Sequence, residues 1–320
     1  MAGKIKFCLS LFYIKSFKNG GINLKIVITG AKGQLGNELL TILSKGKSEI
    51  GKISSLYQDC EVTGLDIGEL DICDTKAINS FFENTRPDIV INCAAMTNVD
   101  ACESNIEGAM KVNAIGPRNL AIACERSNSK LVHISTDYVF PGSNSTPYRE
   151  WDTCNPNSIY GKSKFLGECY VRQQLKHHFI VRTAWLYGYL GNNFVKTMLN
   201  IGKEKNEVKV VDDQIGNPTN ANDLAHHILN LALTEEYGTY HCTGNGETSW
   251  YEFACQIMKL AKLDCKVIPC STEEYPRPAK RPSFSSLDNL ALRCCIKDEM
   301  RPWQKALKSY IKKVLEENLI

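Results

Sequence analysis

Several patterns that quickly assign a function are missing from the 320-residue sequence. No run of like charge is long enough to suggest a nucleic-acid groove or a patch for acidic lipids, and the formal net charge of +3 is the small difference between 38 basic and 35 acidic residues. No apolar run reaches the ~20 residues that a membrane-spanning helix needs. The sequence therefore predicts neither a nucleic-acid partner nor a membrane partner.

Metal-binding spacings are also missing. The 14 cysteines are scattered and never form C-x-x-C, and the six histidines never form H-x-x-x-H. The sequence therefore predicts no metal site. Cysteines without a disulfide framework are typical of a reducing compartment, so we expect a cytoplasmic protein.

The first 23 residues differ from the rest of the chain. Residues 1–23 carry lysines around the short apolar run 7–14, which faintly resembles a signal sequence, but no A-x-A cleavage site follows. The next residues open a strand that is typical of the start of a cytosolic domain. We therefore expect 1–23 to be a dispensable extension or a misassigned start.

From Leu24 onward, short β-branched runs alternate with longer stretches of helical period, the pattern of parallel strands linked by crossover helices. Strands are predicted at 24–30, 61–66, 88–95, 130–135 and 178–188. Helices are predicted at 34–44, 103–127, 221–233 and 251–263, together with one that Asp74 caps and that ends at Asn84.

This order predicts an α/β fold, a Rossmann-type doubly wound parallel sheet with a smaller C-terminal substrate-binding domain. The NAD(P)-binding domain is expected to cover 24–185, and 186–320 is expected to be mainly the substrate-binding domain. Because the alternation loosens after residue 188, we expect an interleaved boundary.

A glycine-rich turn follows the first predicted strand. The stretch G-A-K-G-Q-L-G has glycines at Gly30, Gly33 and Gly36. Glycine suits a tight turn, a close approach of the backbone to a pyrophosphate, and close packing of the next helix, whose N-terminus offers free N–H groups to phosphates. Turn glycines are common, so the trio alone is a weak signal for a dinucleotide.

Features at the ends of the next two strands strengthen this interpretation. Asp66 ends the second strand, where a carboxylate can accept hydrogen bonds from ribose hydroxyls and would repel a 2′-phosphate. This favours NADH over NADPH. Ala94 and Ala95 end the third strand and leave room for the dinucleotide, whereas Asp71 and Ile72 are expected near the adenine.

A hydroxyl, a phenol and an ammonium group come next in the chain. Ser135, Thr136 and Asp137 leave the fourth strand at its carboxyl end, and Tyr160 and Lys164 follow on one helical face. This set suits hydride transfer to a carbonyl, because the developing alkoxide must receive a proton. Before any cost of desolvation, we expect the ammonium to bring the phenol pKa near ~7. Tyr-x-x-x-Lys alone is equally compatible with an ordinary exposed helical face.

The order G-x-x-G-x-x-G, N-x-A-A, S-T-D and Y-x-x-x-K resembles the extended short-chain dehydrogenase/reductase superfamily. Further stretches resemble the dTDP-4-dehydrorhamnose reductase family: STDYVFPG (135–142), RTAWLYG (182–188), NNFVKTML (192–199), DDQIGNPT (212–219) and YPRPAKRPSFSSLD (275–288). The resemblance implies reduction of the 4-keto group of dTDP-4-dehydro-L-rhamnose by NADH or NADPH to dTDP-L-rhamnose, the last step of dTDP-rhamnose biosynthesis.

The resemblance also implies residue roles. Tyr160 matches the family's proton donor, Lys164 its partner and Thr136 the carbonyl-binding hydroxyl, with Tyr160 and Lys164 also at the cofactor. Substrate contacts are implied for Thr136, Asp137 and Trp185, and we add Arg281 as a candidate for the diphosphate. Positions that match cofactor contacts are Gly33, Gln34, Leu35, Asp66, Asp71, Ile72, Ala94, Ala95 and Thr97; the turn glycines Gly30 and Gly36 join this set.

Assembly stays open at this point. Some members of the family are described with a magnesium-linked dimer contact, to which Glu38 would contribute here. A homodimer and Mg²⁺ are therefore compatible with the resemblance, although the sequence itself shows no metal site.

Two alternatives remain. A nucleotide-sugar epimerase or dehydratase of the same superfamily would use the same Tyr160 and Lys164. The 275–288 stretch favours the reductase, as does Thr136 followed by Asp137 and Tyr138 rather than by an acidic pair. The second alternative is a binding module that resembles the regulatory subunit of methionine adenosyltransferase, which an intact catalytic trio does not exclude.

Overall fold

The computed structural model describes residues 24–319, and the proposed extension 1–23 lies outside the described residues. The strands in this range are β1 (Lys25–Thr29), β2 (Glu61–Leu65), β3 (Ile89–Asn92), β4 (Lys130–Thr136), β5 (His178–Thr183), β6 (Leu186–Tyr187), β7 (Glu207–Val211), β8 (Ile215–Gly216), β9 (Thr219–Asn220), β10 (Gly238–His241), β11 (Thr248–Ser249) and β12 (Lys266–Cys270). The helices are α1 (Gln34–Lys45), α2 (Thr75–Thr85), α3 (Val99–Ser104), α4 (Ile106–Met110), α5 (Gly116–Ser127), α6 (Ile159–Gln174), α7 (Phe194–Glu204), α8 (Ala221–Ala232), α9 (Trp250–Ala261), α10 (Leu290–Cys295) and α11 (Trp303–Glu316).

The main sheet has six parallel strands in the order β10-β5-β4-β3-β1-β2. Strand β1 pairs with β2 on one side and with β3 on the other, so the direction of winding reverses between β1 and β3. Ligands of open α/β sheets bind outside the carboxyl ends of the strands at such a reversal. The predicted Rossmann-type fold is confirmed.

Apolar residues cover both faces of this sheet. Ile26 and Ile28 of β1 pack in a core with helices α1 and α8, and Val27 between them packs in a second core with helices α2 and α5. Alternate residues of a strand point to opposite faces, so a strand buried on both faces has a continuous apolar sequence. The sheet is therefore doubly wound.

Two predicted elements differ from the structure for local reasons. The helix expected at 103–127 begins at Val99 and is interrupted at Asn105, whose side chain accepts a hydrogen bond from the N–H of Gly108 (2.9 Å) and caps a new helix. A π-helical turn at Lys111–Ile115 then leads into α5. The strand expected at 178–188 is split into β5 and β6, with a positive φ of 45° at Trp185 between them.

The C-terminal part of the chain contributes to two regions. Helices α7, α9 and α11 share a third apolar core, which includes Phe253 and Trp303, whereas β10 (238–241) returns to the main sheet beside β5. A segment after residue 186 thus completes the sheet. No helix between residues 24 and 319 combines the length and the apolar character needed to cross a bilayer.

Candidate active site

A cleft of about 850 Å³ opens at the carboxyl ends of the central strands. Its lining contains every residue that the sequence assigned to cofactor, substrate or catalysis, except Arg281: Gly30, Gly33, Gln34, Leu35, Gly36, Asp66, Asp71, Ile72, Ala94, Ala95, Thr97, Thr136, Asp137, Tyr160, Lys164 and Trp185. The fold thus brings together residues that are up to about half the chain apart in sequence.

The glycine turn has the geometry that a dinucleotide requires. Gly30 has a φ of +67°, and a Cβ there would lie 2.7 Å from the backbone of Cys93 and Ala94. Helix α1 begins after Gly33 without a side-chain cap, so the N–H groups of its first turn are not taken by a capping side chain. These features fit a phosphate at the start of α1.

Asp66 lies just after β2 and its carboxylate is held by backbone. Its Oδ2 accepts a hydrogen bond from the N–H of Lys32 (3.1 Å), and its Oδ1 accepts one from the N–H of Ile67 (2.9 Å). The ammonium of Lys32 pairs with Glu69 at 3.0 Å, and both of these side chains are exposed. Two carboxylates and one ammonium therefore lie close together after β2, and the ammonium is already paired.

Asn113 connects the two sides of the cleft, and the sequence analysis missed it. Its Oδ1 accepts a hydrogen bond from the N–H of Met96 (2.8 Å), and its Nδ2 donates to the carbonyl of Met96 and to the hydroxyl of Ser163, each at 3.0 Å. Ser163 in turn donates to the carbonyl of Tyr160 (2.8 Å). An asparagine inside a helical stretch gave no signal of this role.

Tyr160 is placed by the start of α6. Ser158 caps the helix by accepting a hydrogen bond from the N–H of Gly161 (3.1 Å). A Cβ at Gly161 would lie 2.2 Å from the carbonyl oxygen of Tyr138, so only glycine lets the helix start this close to the chain that leaves β4. The rings of Tyr138 and Tyr160 then meet edge to face at 5.5 Å.

Lys164 is buried one turn further along. Its Nζ donates a hydrogen bond to the carbonyl of Ile134 (2.6 Å). Burial lowers the pKa of Lys164 to about 8, and the carboxylate of Glu168 opposes this shift. Glu168 is itself buried against Arg182 (2.8 Å) and accepts a hydrogen bond from Ser135 (2.6 Å), so the single proton of the Ser135 hydroxyl is already donated to Glu168.

The expected lowering of the Tyr160 pKa is wrong. Burial raises the pKa of the Tyr160 phenol above its ordinary value, and the hydroxyl of Thr136 offsets the rise only in part. The sequence argument assumed a free ammonium close to the phenol, whereas the Lys164 ammonium is bound to the Ile134 carbonyl. The phenol therefore keeps its proton at neutral pH.

Thr136 and Asp137 form a buried pair at the end of β4. The hydroxyl of Thr136 donates to Oδ1 of Asp137 (2.8 Å) and accepts a weak hydrogen bond from the N–H of Tyr138 (3.3 Å). Oδ2 of Asp137 is buried and has no hydrogen-bond partner within residues 24–319. Burial raises the pKa of Asp137 to about 6, and the hydroxyls of Ser285 and Thr136 oppose the rise.

Two tryptophans line the opposite end of the cleft. The indole of Trp185 stacks on that of Trp250 with ring centroids 3.6 Å apart and an interplanar angle of 7°. Trp250 is the first residue of α9, directly after a capping box formed by Ser249 and Glu252. The sequence analysis missed Trp250, although the motif S-x-x-E marks the start of its helix.

Arg281 lies outside the cleft lining. Its Nη2 donates to Asp100 of α3 at 3.0 Å, and the N–H of Ala279 donates to the same carboxylate at 3.2 Å. The Nη1 of Arg281 is buried without a hydrogen-bond partner in the described part of the chain. The segment around Arg281 is thus bound to α3, and a contact of Arg281 with substrate stays a prediction.

Glu38, the residue that the family resemblance linked to magnesium, is buried. Its Oε2 accepts a hydrogen bond from Nδ2 of Asn222 (2.8 Å), and burial raises the pKa of its carboxyl. Between residues 24 and 319, no group of three or more His, Cys, Asp or Glu side chains is arranged to hold a metal ion.

Known proteins resemble the chain over almost all of this range. The family described as RmlD substrate binding domain matches residues 24–316. The spore coat polysaccharide biosynthesis protein SpsK of Bacillus subtilis (strain 168) is 40% identical over 289 residues, which cover 90% of this chain and 96% of that protein.

Two solved structures are also similar. A dTDP-4-dehydrorhamnose reductase of Clostridium acetobutylicum is 49% identical with a TM-score of 0.86, over 91% of this chain and 100% of that chain. A dTDP-4-dehydrorhamnose reductase of Bacillus anthracis, solved in complex with NADP, is 40% identical. Its TM-score is 0.86, and the match covers 91% of this chain and 100% of that chain.

Proposed function

The chain belongs to the dTDP-4-dehydrorhamnose reductase family, and from this premise we propose that it reduces the 4-keto group of dTDP-4-dehydro-L-rhamnose to give dTDP-L-rhamnose. One observation carries the proposal. Thr136, Tyr160 and Lys164 converge in a cleft whose other end is a glycine turn before an uncapped helix. A proton donor and a phosphate-binding turn in one cleft are what a dinucleotide-dependent reductase needs.

The residues of the cleft fit a nicotinamide dinucleotide. The turn at Gly30 would receive the pyrophosphate, and Asp66 would accept hydrogen bonds from the adenosine ribose, which favours NADH over NADPH. When bound, the cofactor supplies a hydride to C4 of the keto sugar. In this proposal residues 24–185 hold the dinucleotide, and 186–320 mainly hold the sugar nucleotide.

Tyr160 supplies the proton that the reaction consumes. As C4 is reduced, its oxygen becomes an alkoxide, which is a far stronger base than a phenolate, so the proton moves from Tyr160 to O4. The raised pKa of the phenol suits this direction, because a donor must still hold its proton when the alkoxide forms. Lys164 would then stabilise the phenolate that is left.

Thr136 and Asp137 orient the carbonyl end of the substrate. While Asp137 is ionised, it is acceptor-only, so the single hydroxyl proton of Thr136 is directed to Oδ1. To bind the substrate carbonyl, this hydroxyl would turn from Oδ1 of Asp137 and donate to O4. The unpartnered Oδ2 of Asp137 is free to accept a hydrogen bond from a sugar hydroxyl, which would satisfy a buried polar atom.

The proposal also covers the cellular compartment and the oligomeric state. A cytoplasmic homodimer that uses a small nucleotide-sugar substrate is the form we expect. Because Glu38 is buried within one chain, a magnesium-linked contact between copies would not use its carboxylate.

The test is turnover of NADH by the purified protein with dTDP-4-dehydro-L-rhamnose. We expect Tyr160→Phe to lower kcat by about 10²- to 10⁴-fold while NADH binding stays largely intact. Tyr170→Phe on the same helix, outside the cleft lining, is the matched control and should be active. Unchanged turnover in Tyr160→Phe would show that Tyr160 is not the proton donor.

Wild-type protein that lacks turnover but co-purifies with a synthetase-type partner would instead favour the binding module.

A further inference from the structure

The stretch Q-I-G-N-P-T (214–219), which resembles the family but has no role in the chemistry above, shapes the tryptophan end of the cleft. Strand β8 within it pairs with β11, which leads directly into Trp250 at the start of α9. The N–H of Thr219 donates to the carbonyl of Trp185 (3.2 Å). This stretch therefore contacts one tryptophan and is joined to the segment that carries the other.

Trp185 has an unusual backbone. Its φ of 45° lies in the left-handed region, which bulky residues rarely adopt. Conformations of this kind persist where the surroundings hold them, and they cluster at ligand-binding sites. The break between β5 and β6 at Trp185 thus turns the indole into the cleft lining instead of continuing a strand.

Gly216 leaves the space that the Trp185 ring occupies. A Cβ at Gly216 would lie 2.6 to 2.8 Å from Cε2, Nε1 and Cζ2 of the Trp185 indole. Real Cβ atoms do not approach other atoms this closely, so any side chain at position 216 must move the indole. The rigid indole has no flexible end that could yield.

Trp250 covers the Trp185 ring and is itself anchored. The two indoles stack at 3.6 Å, and Phe194 of α7 packs against Trp250 at 4.5 Å. Phe194 in turn stacks on the buried Phe253 at 5.7 Å. A column of aromatic rings therefore runs from the cleft into the third core, and it fixes the position of Trp185.

The tryptophan pair lies far from the dinucleotide end. Trp185 follows β5 and Asp66 follows β2, and the sheet order separates these strands by four spacings, or about 19 Å at ~4.8 Å per spacing. The catalytic residues lie between, at β4 and α6. A flat apolar surface beside them suits the C–H face of a deoxysugar rather than a charged pyrophosphate.

We propose that Gly216 and Trp250 are positioning residues for the sugar nucleotide, because together they hold the Trp185 indole in the cleft wall against which the sugar packs. The inference rests on the proposed function and names two residues that set its substrate affinity. They act through Trp185 and not through the dinucleotide.

The first test is Gly216→Ala, assayed with dTDP-4-dehydro-L-rhamnose and NADH. Since misplacing a binding group by about 1 Å can cost up to ~100-fold, we expect KM for the sugar nucleotide to rise by about 10-fold or more. The NADH dissociation constant should change less than about twofold. Stacked indoles give a coupled circular dichroism signal, which should weaken in the variant. Gly51→Ala, where the nearest atom to the new Cβ is at 3.9 Å, is the matched control.

The second test compares Trp250→Leu with Trp250→Phe. Leucine removes the flat surface that supports Trp185, whereas phenylalanine keeps one. Calorimetry should therefore show that Trp250→Phe retains most of the affinity for dTDP-L-rhamnose that Trp250→Leu loses. If Trp250 had only a structural role, its substitution would lower the thermal unfolding temperature and the affinities for both ligands together. The inference would be overturned by an unchanged KM for the sugar nucleotide in Gly216→Ala. Equal losses of affinity for NADH and for the sugar nucleotide would also overturn it. Wild-type protein without turnover would overturn the proposed function and this inference with it.

Discussion

The two ends of the cleft are built in opposite ways. The dinucleotide end is made of strand ends and backbone, and its defining residue, Gly30, has no side chain. The tryptophan end is made of the two largest side chains in the lining, Trp185 and Trp250, held against Gly216. In our proposal, one end receives the pyrophosphate because no side chain protrudes at Gly30, and the other receives the sugar because large side chains stand at set positions.

This difference predicts different responses to mutation. At the dinucleotide end, any added side chain meets backbone that cannot move aside, so substitutions should damage both stability and binding. At the tryptophan end, shape matters more than identity, so an aromatic replacement should preserve much of the affinity. Mutations at the two ends should also affect different ligands, since we propose that each end binds a different one.

The largest effect is expected for Gly30→Ala. The new Cβ would lie 2.7 Å from the backbone of Cys93 and Ala94, at a φ of +67°. We expect a loss of about 2–4 kcal/mol in the free energy of unfolding and at least about a 100-fold weaker NADH affinity. Fluorescence titration with NADH, calorimetry with dTDP-L-rhamnose and urea unfolding measure these effects.

Equal losses of affinity for NADH and for dTDP-L-rhamnose in Gly30→Ala would contradict the proposed difference between the two ends. Gly68→Ala is the control, since no atom lies within 4 Å of its Cβ position and its φ is not positive. It should match the wild-type protein in all three measurements.

An intermediate effect is expected for Asp137→Asn, in the cleft lining directly after β4. Burial raises the pKa of Asp137 from an ordinary value near 4 to about 6, so the folded state binds this proton more tightly than the unfolded state. The contribution of Asp137 to stability is therefore highest below about pH 4 and falls as the pH rises to about 6, by about 3 kcal/mol. Asparagine does not titrate and removes this loss.

Denaturant unfolding at several pH values checks this prediction. The free energy of unfolding of Asp137→Asn, relative to the wild-type protein, should rise by up to about 3 kcal/mol between pH 4 and pH 7. The exposed Asp59→Asn makes the same charge change at the surface and is the matched control. A flat profile for Asp137→Asn would mean that the carboxyl is not desolvated as its burial indicates.

The smallest effect concerns the choice of dinucleotide. We expect kcat/KM to be higher with NADH than with NADPH, because the Asp66 carboxylate is fixed by two backbone N–H groups where a 2′-phosphate would lie. Asp66→Asn should lower the ratio of kcat/KM with NADH to kcat/KM with NADPH by about 3- to 10-fold, since a partly exposed charge is screened by solvent. A clear preference of the wild-type protein for NADPH would show that the nearby Lys32 outweighs Asp66.

Sequence reasoning was most successful where a local requirement dictates the residue. Gly30 and the Asp74 cap are such cases, and Asp74 accepts hydrogen bonds from the N–H groups of Lys76 and Ala77. It failed for the electrostatics of Tyr160, because burial and the position of the Lys164 ammonium depend on the packed helix. The Ser135 hydroxyl, bound to buried Glu168, was equally invisible in the pattern.

The sequence by itself determined the alternating parallel fold, the glycine turn and the Tyr160 and Lys164 spacing, because backbone conformation and helical period are set by residues close together in the chain. Only the tertiary structure decided that Trp185, Gly216 and Trp250 form one wall. Their contacts join segments separated by more than 30 residues, and contacts of that range depend on how the whole chain packs.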